Sequence, residues 1–227
     1  RRALHHRVAN VLDQMVGGGD DAASAQIAIH FEQAGDIQQA MIHLQRAADA
    51  ALRLFAYEDA ITTLEHTLSL MKTLPAGPSI AEIELELQMK LCTAWASITS
   101  YLGAEAAKAY SRALELCRLV EHKPHLFTVL WGLHEVALYR VDYRESLTLA
   151  QQCMEIAAEL GDPGLLLEAH HAIWGPHYFL GEYDQAFEHM QAGLAIYDRA
   201  QHEHLSIHYG VHDAGQCALY ESALALW

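Results

Sequence analysis

The fold is decided by the stretch Ala34-Gly35-Asp36-Ile37-Gln38-Gln39-Ala40, a tight turn that leads into a helix. In that helix a small residue, a larger residue and a small residue follow one another at steps of four and three. Five sets share this spacing: Ala40/Leu44/Ala47, Ala60/Leu64/Thr67, Ala106/Tyr110/Ala113, Ser146/Ala150/Cys153 and Ala186/Met190/Gly193. Small residues at these steps let two helices approach closely. The chain is therefore predicted to be a tandem array of helical hairpins, an architecture that normally serves as a binding scaffold.

Turn and capping residues set the predicted helix bounds. The capping signals are Asp36 with Gln39, Ser79 with Glu82, and Asp162 before Pro163. We expect helices over about 1–15, 22–34, 37–54, 57–74, 79–100, 104–120, 124–140, 143–160, 163–180, 183–199 and 213–227. No window alternates with period two among β-branched residues, so essentially no sheet is expected. The last helix is expected to have no partner inside the chain.

Repeat spacing defines the fold class. Ala106, Ser146 and Ala186 are 40 residues apart, against about 34 in the standard tetratricopeptide repeat. We predict an all-α, right-handed superhelix of tetratricopeptide-like antiparallel helical hairpins. Gly17-Gly18-Gly19 is the strongest boundary signal, so we divide the chain into residues 1–19 and a repeat array over 20–227.

Composition excludes several classes of function. The net charge is −15, and of the 14 basic residues those beyond the first seven positions are scattered, which argues against nucleic-acid binding. An acidic surface suits a basic peptide partner, or simply solubility. No apolar run approaches the roughly 18 residues of a membrane span, and the N-terminal stretch lacks the features of a signal peptide. The four cysteines are far apart, as expected for reduced thiols. We predict a cytoplasmic protein without cofactor.

A family resemblance is carried by Ile27–Asp36, Ala47–Ala51 and Phe55–Ala60, with further matches at 130–133, 168–172 and 209–213. These stretches resemble the tetratricopeptide-like region of large bacterial signalling ATPases, either linked to adenylate/guanylate cyclase domains or of the STAND type. The resemblance covers nearly the whole chain. It implies that residues 1–19 are the tail of a preceding domain, that the array is truncated in mid-repeat, and that the catalytic parts of the parent protein lie outside this chain.

Candidate binding residues lie on the first helices of the later hairpins, which line the concave groove in tetratricopeptide-like arrays. They are Trp131, His134, His170, Trp174, Tyr178 and Tyr209. Aromatic and polar side chains at such positions can bind a peptide or a partner domain, although the same aromatics can simply fill the interface between hairpins. We predict a non-catalytic interaction and regulatory scaffold whose partner is a protein, a peptide or another domain of the same chain.

Two alternatives remain open from the sequence. The histidine-rich segment 170–213 could form a small-ligand or metal sensor, with His204 and His208 at helical spacing and His212 or Asp213 as a third ligand. The chain could instead be a spacer that forms a homodimer through the final helix, around Leu219, Leu224, Leu226 and Trp227. An enzyme is not predicted, because neither a phosphate-binding loop nor a glycine-flanked nucleophile is present.

Overall fold

The computed structural model describes residues 1–16, 23–75, 77–207, 209 and 212–226. Within this part of the chain all regular structure is helical, so the predicted all-α class is confirmed. The chain divides into two compact units, Arg1–Ser100 and Tyr101–Trp227. The glycine boundary predicted at 17–19 lies outside the described residues.

Unit 1 is a series of helices in which each packs against the next. They are α1 (Arg2–Val16), α2 (Ser24–Ala34), α3 (Ile37–Arg53), α4 (Tyr57–Met71) and α5 (Pro78–Thr99). Because only two or three residues separate α2 from α3 and α3 from α4, these neighbours must run antiparallel. The predicted hairpins are thus present, and α1 packs onto the first of them.

Unit 2 also consists of consecutive helices that pack on one another, and its last helix packs back against earlier ones. Its helices are α6 (Ala104–Val120), α7 (Lys123–Tyr139), α8 (Tyr143–Leu160), α9 (Pro163–Phe179), α10 (Tyr183–Ile196), the short α11 (Arg199–His202) and α12 (Ala214–Leu226), with a 3-10 turn over Glu203–Ile207. From α6 to α10 each helix packs on its successor, and α7 also reaches α9. Within this unit, α7 and α9 are therefore each covered by other helices on more than one side.

One backbone turn is repeated between hairpin helices in both units. A residue one or two positions after the helix end is left-handed, namely Gly35, Phe55, Val141 or Gly181, with φ between 58° and 85°. At each turn this residue and the next donate their N–H groups back to carbonyls three and five residues earlier, for example Gly35 to Glu32 and Asp36 to Phe31. These bonds satisfy the free carbonyls at the helix end and reverse the chain.

The repeated small residues lie where the helices meet. In four of the five sets every member is buried, including Ala60, Leu64 and Thr67, which are completely inaccessible. In the first set Ala47 is partly exposed, and Ala48 takes the buried position instead. The spacing that predicted the hairpins is therefore the packing surface between helices.

Of the three capping signals read from the sequence, two were correct and one was wrong. The Asp36 carboxylate accepts from the Gln39 N–H at 3.2 Å, and Asp162 accepts from the Leu165 N–H at 3.0 Å. The predicted cap at Ser79 is replaced by Gly77, because Pro78 occupies the first helical turn without needing an N–H partner.

The prediction that the final helix has no partner was wrong. α12 packs against α10 and α9, and Ala218 is fully buried in a cluster with Trp174, Ala186 and Met190. Its outer face stays exposed at Leu219, Tyr220, Leu224 and Leu226. Self-association through that face stays a prediction, and Trp227 lies outside the described residues. None of the described helices has the length and apolar character needed to cross a bilayer.

Candidate functional site

Unit 2 contains a cavity of about 240 Å³ between α7, α8, α9 and α12. Its lining residues are His134, Glu135, Leu138, Tyr139, Tyr143, His171, Trp174, Gly175, Phe179, His212 and Glu221. Aromatic rings form one part of the wall, where Tyr143 stacks on Phe179 with 5.1 Å between ring centroids. Histidines and carboxylates form the rest. Such a mixture of apolar wall and a few polar groups is typical of a binding site.

Two nearly apolar helices position the cavity. α7 and α9 are buried on more than one face because each packs between neighbours, and they therefore lack a wide polar stripe. Gly132 lets α7 approach α6, since a Cβ there would lie 2.1 Å from the Tyr110 ring. Gly175 has no side chain to fill the space at the wall of the cavity, where its nearest neighbour would be Leu138.

On the α7 side His134 is held between two polar partners. Its Nδ1 lies 2.8 Å from the Ser146 hydroxyl and its Nε2 lies 3.3 Å from a carboxylate oxygen of Glu135. All three side chains are buried, and Ser146 is completely inaccessible. The order of serine, imidazole and carboxylate resembles a nucleophile and its base, but a substrate cannot reach this hydroxyl. The bond instead ties α7 to α8 and satisfies polar groups that would be costly to bury alone.

On the α9 side His171 is bonded to Glu168, one turn earlier on the same helix. The His171 Nδ1 lies 3.0 Å from a Glu168 carboxylate oxygen, and that carboxylate is only 1% exposed. Because Nδ1 is occupied by the carboxylate, Nε2 is the nitrogen left for other partners.

His171 lies close to two residues that are distant in the sequence, His212 and Cys217. The ligand atoms of His171, His212 and Cys217 all lie within 4.8 Å of one another. The His212 Nδ1 is 3.4 Å from the Cys217 sulfur, and the His171 and His212 rings are 5.1 Å apart.

Their protonation is coupled. Burial raises the pKa of the Cys217 thiol, but hydrogen bonds from His171 and His212 outweigh that effect and lower the pKa to about 7. Burial lowers the pKa of His171, but its bonds to Cys217 and Glu168 win, so the net shift is upward. The hydrogen bond with Cys217 also raises the pKa of His212. Cys217 can therefore form a thiolate near neutral pH. Cys117 differs, because burial raises the pKa of its thiol to about 11.

The return of α12 depends on an anchor at its start. The Tyr197 hydroxyl donates to Asp213 at 2.8 Å, and the same carboxylate accepts from the Gln216 N–H at 2.9 Å as a helix cap. Gly215 admits the Tyr197 ring, since a Cβ there would lie 2.5 Å from it. These contacts fix the position from which His212 and Cys217 reach α9.

The six candidate groove residues fall in three places. His134 and Trp174 line the cavity, although both side chains are buried. Trp131 and Tyr209 lie behind the wall, where their rings contact each other with 5.4 Å between centroids and Trp131 donates its indole N–H to the Glu168 carbonyl at 3.2 Å. Their burial makes them part of the core that supports the cavity.

The remaining two candidates lie toward α10. The His170 Nδ1 is 2.9 Å from the His189 Nδ1, and both side chains are partly buried. Tyr178 packs against Phe179 and Tyr183 near the next turn. Neither residue lines the cavity.

The metal ligands suggested from the sequence are placed differently. His208 lies outside the described residues, and His204 is exposed on the 3-10 turn. Of that set, only His212 is close to other potential ligands among the described residues, and its neighbours are His171 and Cys217.

Sequence reasoning missed three cavity or cluster residues of importance, Glu135, Glu168 and Cys217. A signal was available for the two glutamates, since each is a lone carboxylate in an otherwise apolar helical stretch, and an acid buried there needs a specific partner. Cys217 offered no local signal, because its partner His171 is 46 residues away.

No protein-family model matches the chain. An uncharacterized protein of Rhizobium meliloti (strain 1021) is 25% identical over 229 aligned residues, which cover 100% of this chain. The chain spans only 22% of the length of that relative.

Three solved structures share the fold at 14–19% identity. The apo form of RapI gives a TM-score of 0.61 over 88% of this chain and 51% of its own length. NprR in complex with its cognate peptide NprX gives 0.61 over 99% and 61%. A STAND ATPase from Pyrococcus horikoshii with a tetratricopeptide repeat sensor gives 0.58 over 83% and 31%. These likenesses place the chain among tetratricopeptide-like helical repeat folds.

Proposed function

We propose that this chain is a non-catalytic sensor region of a larger cytoplasmic signalling protein, and that it binds a partner protein or peptide at the cavity of unit 2. The cavity itself is the observation that carries the proposal. It combines an aromatic wall with carboxylates inside a fold whose hairpins stack as scaffolds. Regulation would follow from ligand binding that favours one state of the parent protein.

The size of the cavity suggests what enters it. At about 240 Å³ it is smaller than the roughly 300–1,000 Å³ pockets that hold drug-sized ligands. A single anchoring side chain of a longer segment fits this volume better than an entire peptide, whose remaining residues would lie along the surface outside.

The carboxylates and the exposed rings of the cavity suggest a basic anchor, although three histidines also line it. Glu135 and Glu221 both line it, and Tyr139 and Phe179 remain about half exposed at its edge. A lysine or arginine side chain would be attracted by the carboxylates and by the faces of the rings. The net charge of −15 would favour the same kind of partner.

The comparisons support the proposal without identifying the partner. NprR was solved with a cognate peptide, and the STAND ATPase has a tetratricopeptide repeat sensor. The Rhizobium meliloti relative is several times longer than this chain, as a sensor within a multidomain protein would require.

Peptide display on the purified chain tests the proposal. We expect selected peptides to share a lysine or arginine. The double variant Tyr139→Ala/Phe179→Ala should bind them about tenfold more weakly, because two exposed cation–π contacts are worth about 1.4 kcal/mol together. Phe55→Ala removes a similarly exposed ring from unit 1 and serves as the control. Selected peptides without a basic residue, or equal binding by wild type and the double variant, would contradict the proposal.

A further inference from the structure

We propose that His171, His212 and Cys217 form a zinc site at the edge of the cavity, a function that goes beyond the proposed partner binding and does not rest on it. Two imidazoles and a thiol whose ligand atoms lie within 4.8 Å of one another present a soft nitrogen and sulfur donor set. Zn²⁺ prefers this set, in tetrahedral geometry with Zn–S of about 2.3 Å and Zn–N of about 2.0–2.1 Å.

The distances are close to those that zinc requires. Two tetrahedral ligands at these bond lengths are separated by about 3.5 Å, and the His212 Nδ1 lies 3.4 Å from the Cys217 sulfur. The third ligand needs only a small movement, since the largest separation in the group is at most 4.8 Å. His212 is exposed and can adjust, whereas His171 is buried and fixed.

Besides the ligand distances, the position of Glu168 supports a metal site. Its buried carboxylate bonds the His171 Nδ1 at 3.0 Å, so Nε2 is the nitrogen that remains to bind a metal ion. Carboxylate–histidine pairs of this kind orient metal-binding imidazoles, and they raise the basicity of the ligating nitrogen. A carboxylate that is 1% exposed on an apolar helix is costly to retain unless it performs such a task.

The fourth position of the ion falls on the cavity side. His171 and His212 both line the cavity, and so does Glu221, whose carboxylate experiences the charges of these two histidines. A water molecule can complete the tetrahedron. A site with three protein ligands keeps one position open to water or to another ligand, whereas structural zinc sites are closed by four protein ligands.

Titration of the reduced 227-residue chain with Co²⁺ and Zn²⁺ tests the site. We expect one ion per chain, with a cobalt–thiolate charge-transfer band that Zn²⁺ abolishes. Cys217→Ser should remove this band while leaving the far-UV circular dichroism unchanged, and His212→Ala should weaken Zn²⁺ binding at least tenfold. Glu168→Gln should weaken binding about 10–100-fold, the range for partners of ligating histidines.

His204→Ala is the matched control, because it removes an exposed histidine of the same segment and should leave affinity unchanged. The proposal is overturned if Co²⁺ produces no thiolate band in the wild type, if the band persists in Cys217→Ser, or if His204→Ala weakens binding as much as His212→Ala. Should Cys217→Ser fold poorly, the Zn²⁺ affinity of the folded His212→Ala variant decides instead. An undiminished affinity in that variant contradicts the site.

Discussion

Val141 adopts a backbone conformation that β-branched residues rarely tolerate, with φ of 66° at the turn between α7 and α8. The equivalent turn between α9 and α10 has Gly181 with φ of 77°. The left-handed region costs a non-glycine residue about 1–2 kcal/mol, while glycine loses about 0.5–1 kcal/mol through its greater freedom in the unfolded chain. The Val141 side chain is 66% exposed, so its removal sacrifices little burial.

We therefore expect Val141→Gly to raise the free energy of unfolding by about 1 kcal/mol. Gly181→Val, the reverse exchange at the matching turn, should lower it by at least as much. Urea unfolding followed by circular dichroism measures both, and an unchanged m-value would confirm that only stability has changed. A loss of stability in Val141→Gly would show that the turn does not impose strain on valine.

Gly132 is required for a different reason, the close approach of α7 to Tyr110. Gly132→Ala should destabilise the chain by about 1–3 kcal/mol, because the ring must move out of a packed position, even though alanine favours a helix by about 1 kcal/mol. Gly175→Ala is the control, since its Cβ would meet Leu138 at an ordinary 3.7 Å. Thermal unfolding distinguishes the two; equal melting temperatures would contradict the steric argument.

At the scale of elements, α9 and α10 are joined by histidines that favour the neutral form. Burial, together with the neighbouring charges of His170 and His177, lowers the pKa of His189 to about 4. Burial also lowers the pKa of His170, which faces His189 at 2.9 Å. Glu182 bonds His177 at 2.6 Å on the other side of the group.

Since the unfolded pKa of histidine is about 6.5, the unfolded chain binds more protons than the folded chain between pH 6.5 and about 4. Stability contributed by His189 is thus present above pH 6.5 and lost on acidification, with a slope of at most about 1.4 kcal/mol per pH unit. We expect His189→Gln to flatten the pH dependence of unfolding in this window. His204→Gln, at an exposed position, should leave the profile unchanged. If the stability of His189→Gln depended more steeply on pH than that of the wild type, the folded chain would not lower the pKa of His189.

The helices could be predicted from the sequence because their signals are local. Small residues at steps of four and three accompany α6 and α8, which lie at their predicted bounds, and the caps Asp36 and Asp162 predicted the starts of α3 and α9. The break after Ile196 was missed, since Asp198 caps a new short helix where the periodic pattern continues. The cavity was predicted only in part, through His134 and Trp174, because its other side depends on the return of α12. That return rests on Tyr197, Asp213 and Gly215, whose contacts have no periodic signature.

At the scale of the whole molecule, the chain consists of two units that each have their own internal packing, Arg1–Ser100 and Tyr101–Trp227. The residues between α5 and α6 are non-helical, and Ser100 has a φ of 52°, so helix α5 ends there. Among the described residues, those of the cavity and of the His171, His212 and Cys217 cluster all belong to the second unit. Folding and binding should therefore be separable along the chain.

We expect the fragment 101–227 to fold by itself, with helical circular dichroism, a cooperative thermal transition and the same Co²⁺–thiolate band as the full chain. The fragment 1–100 should be helical and should lack this band, although it contains Cys92, because its described residues do not assemble a comparable ligand group. Domains of this size commonly fold alone. A fragment 101–227 that remains unfolded while the full chain is folded would contradict the independence of the units. A folded fragment that lacks the band, when the full chain has it, would mean that the zinc site needs residues of the first unit.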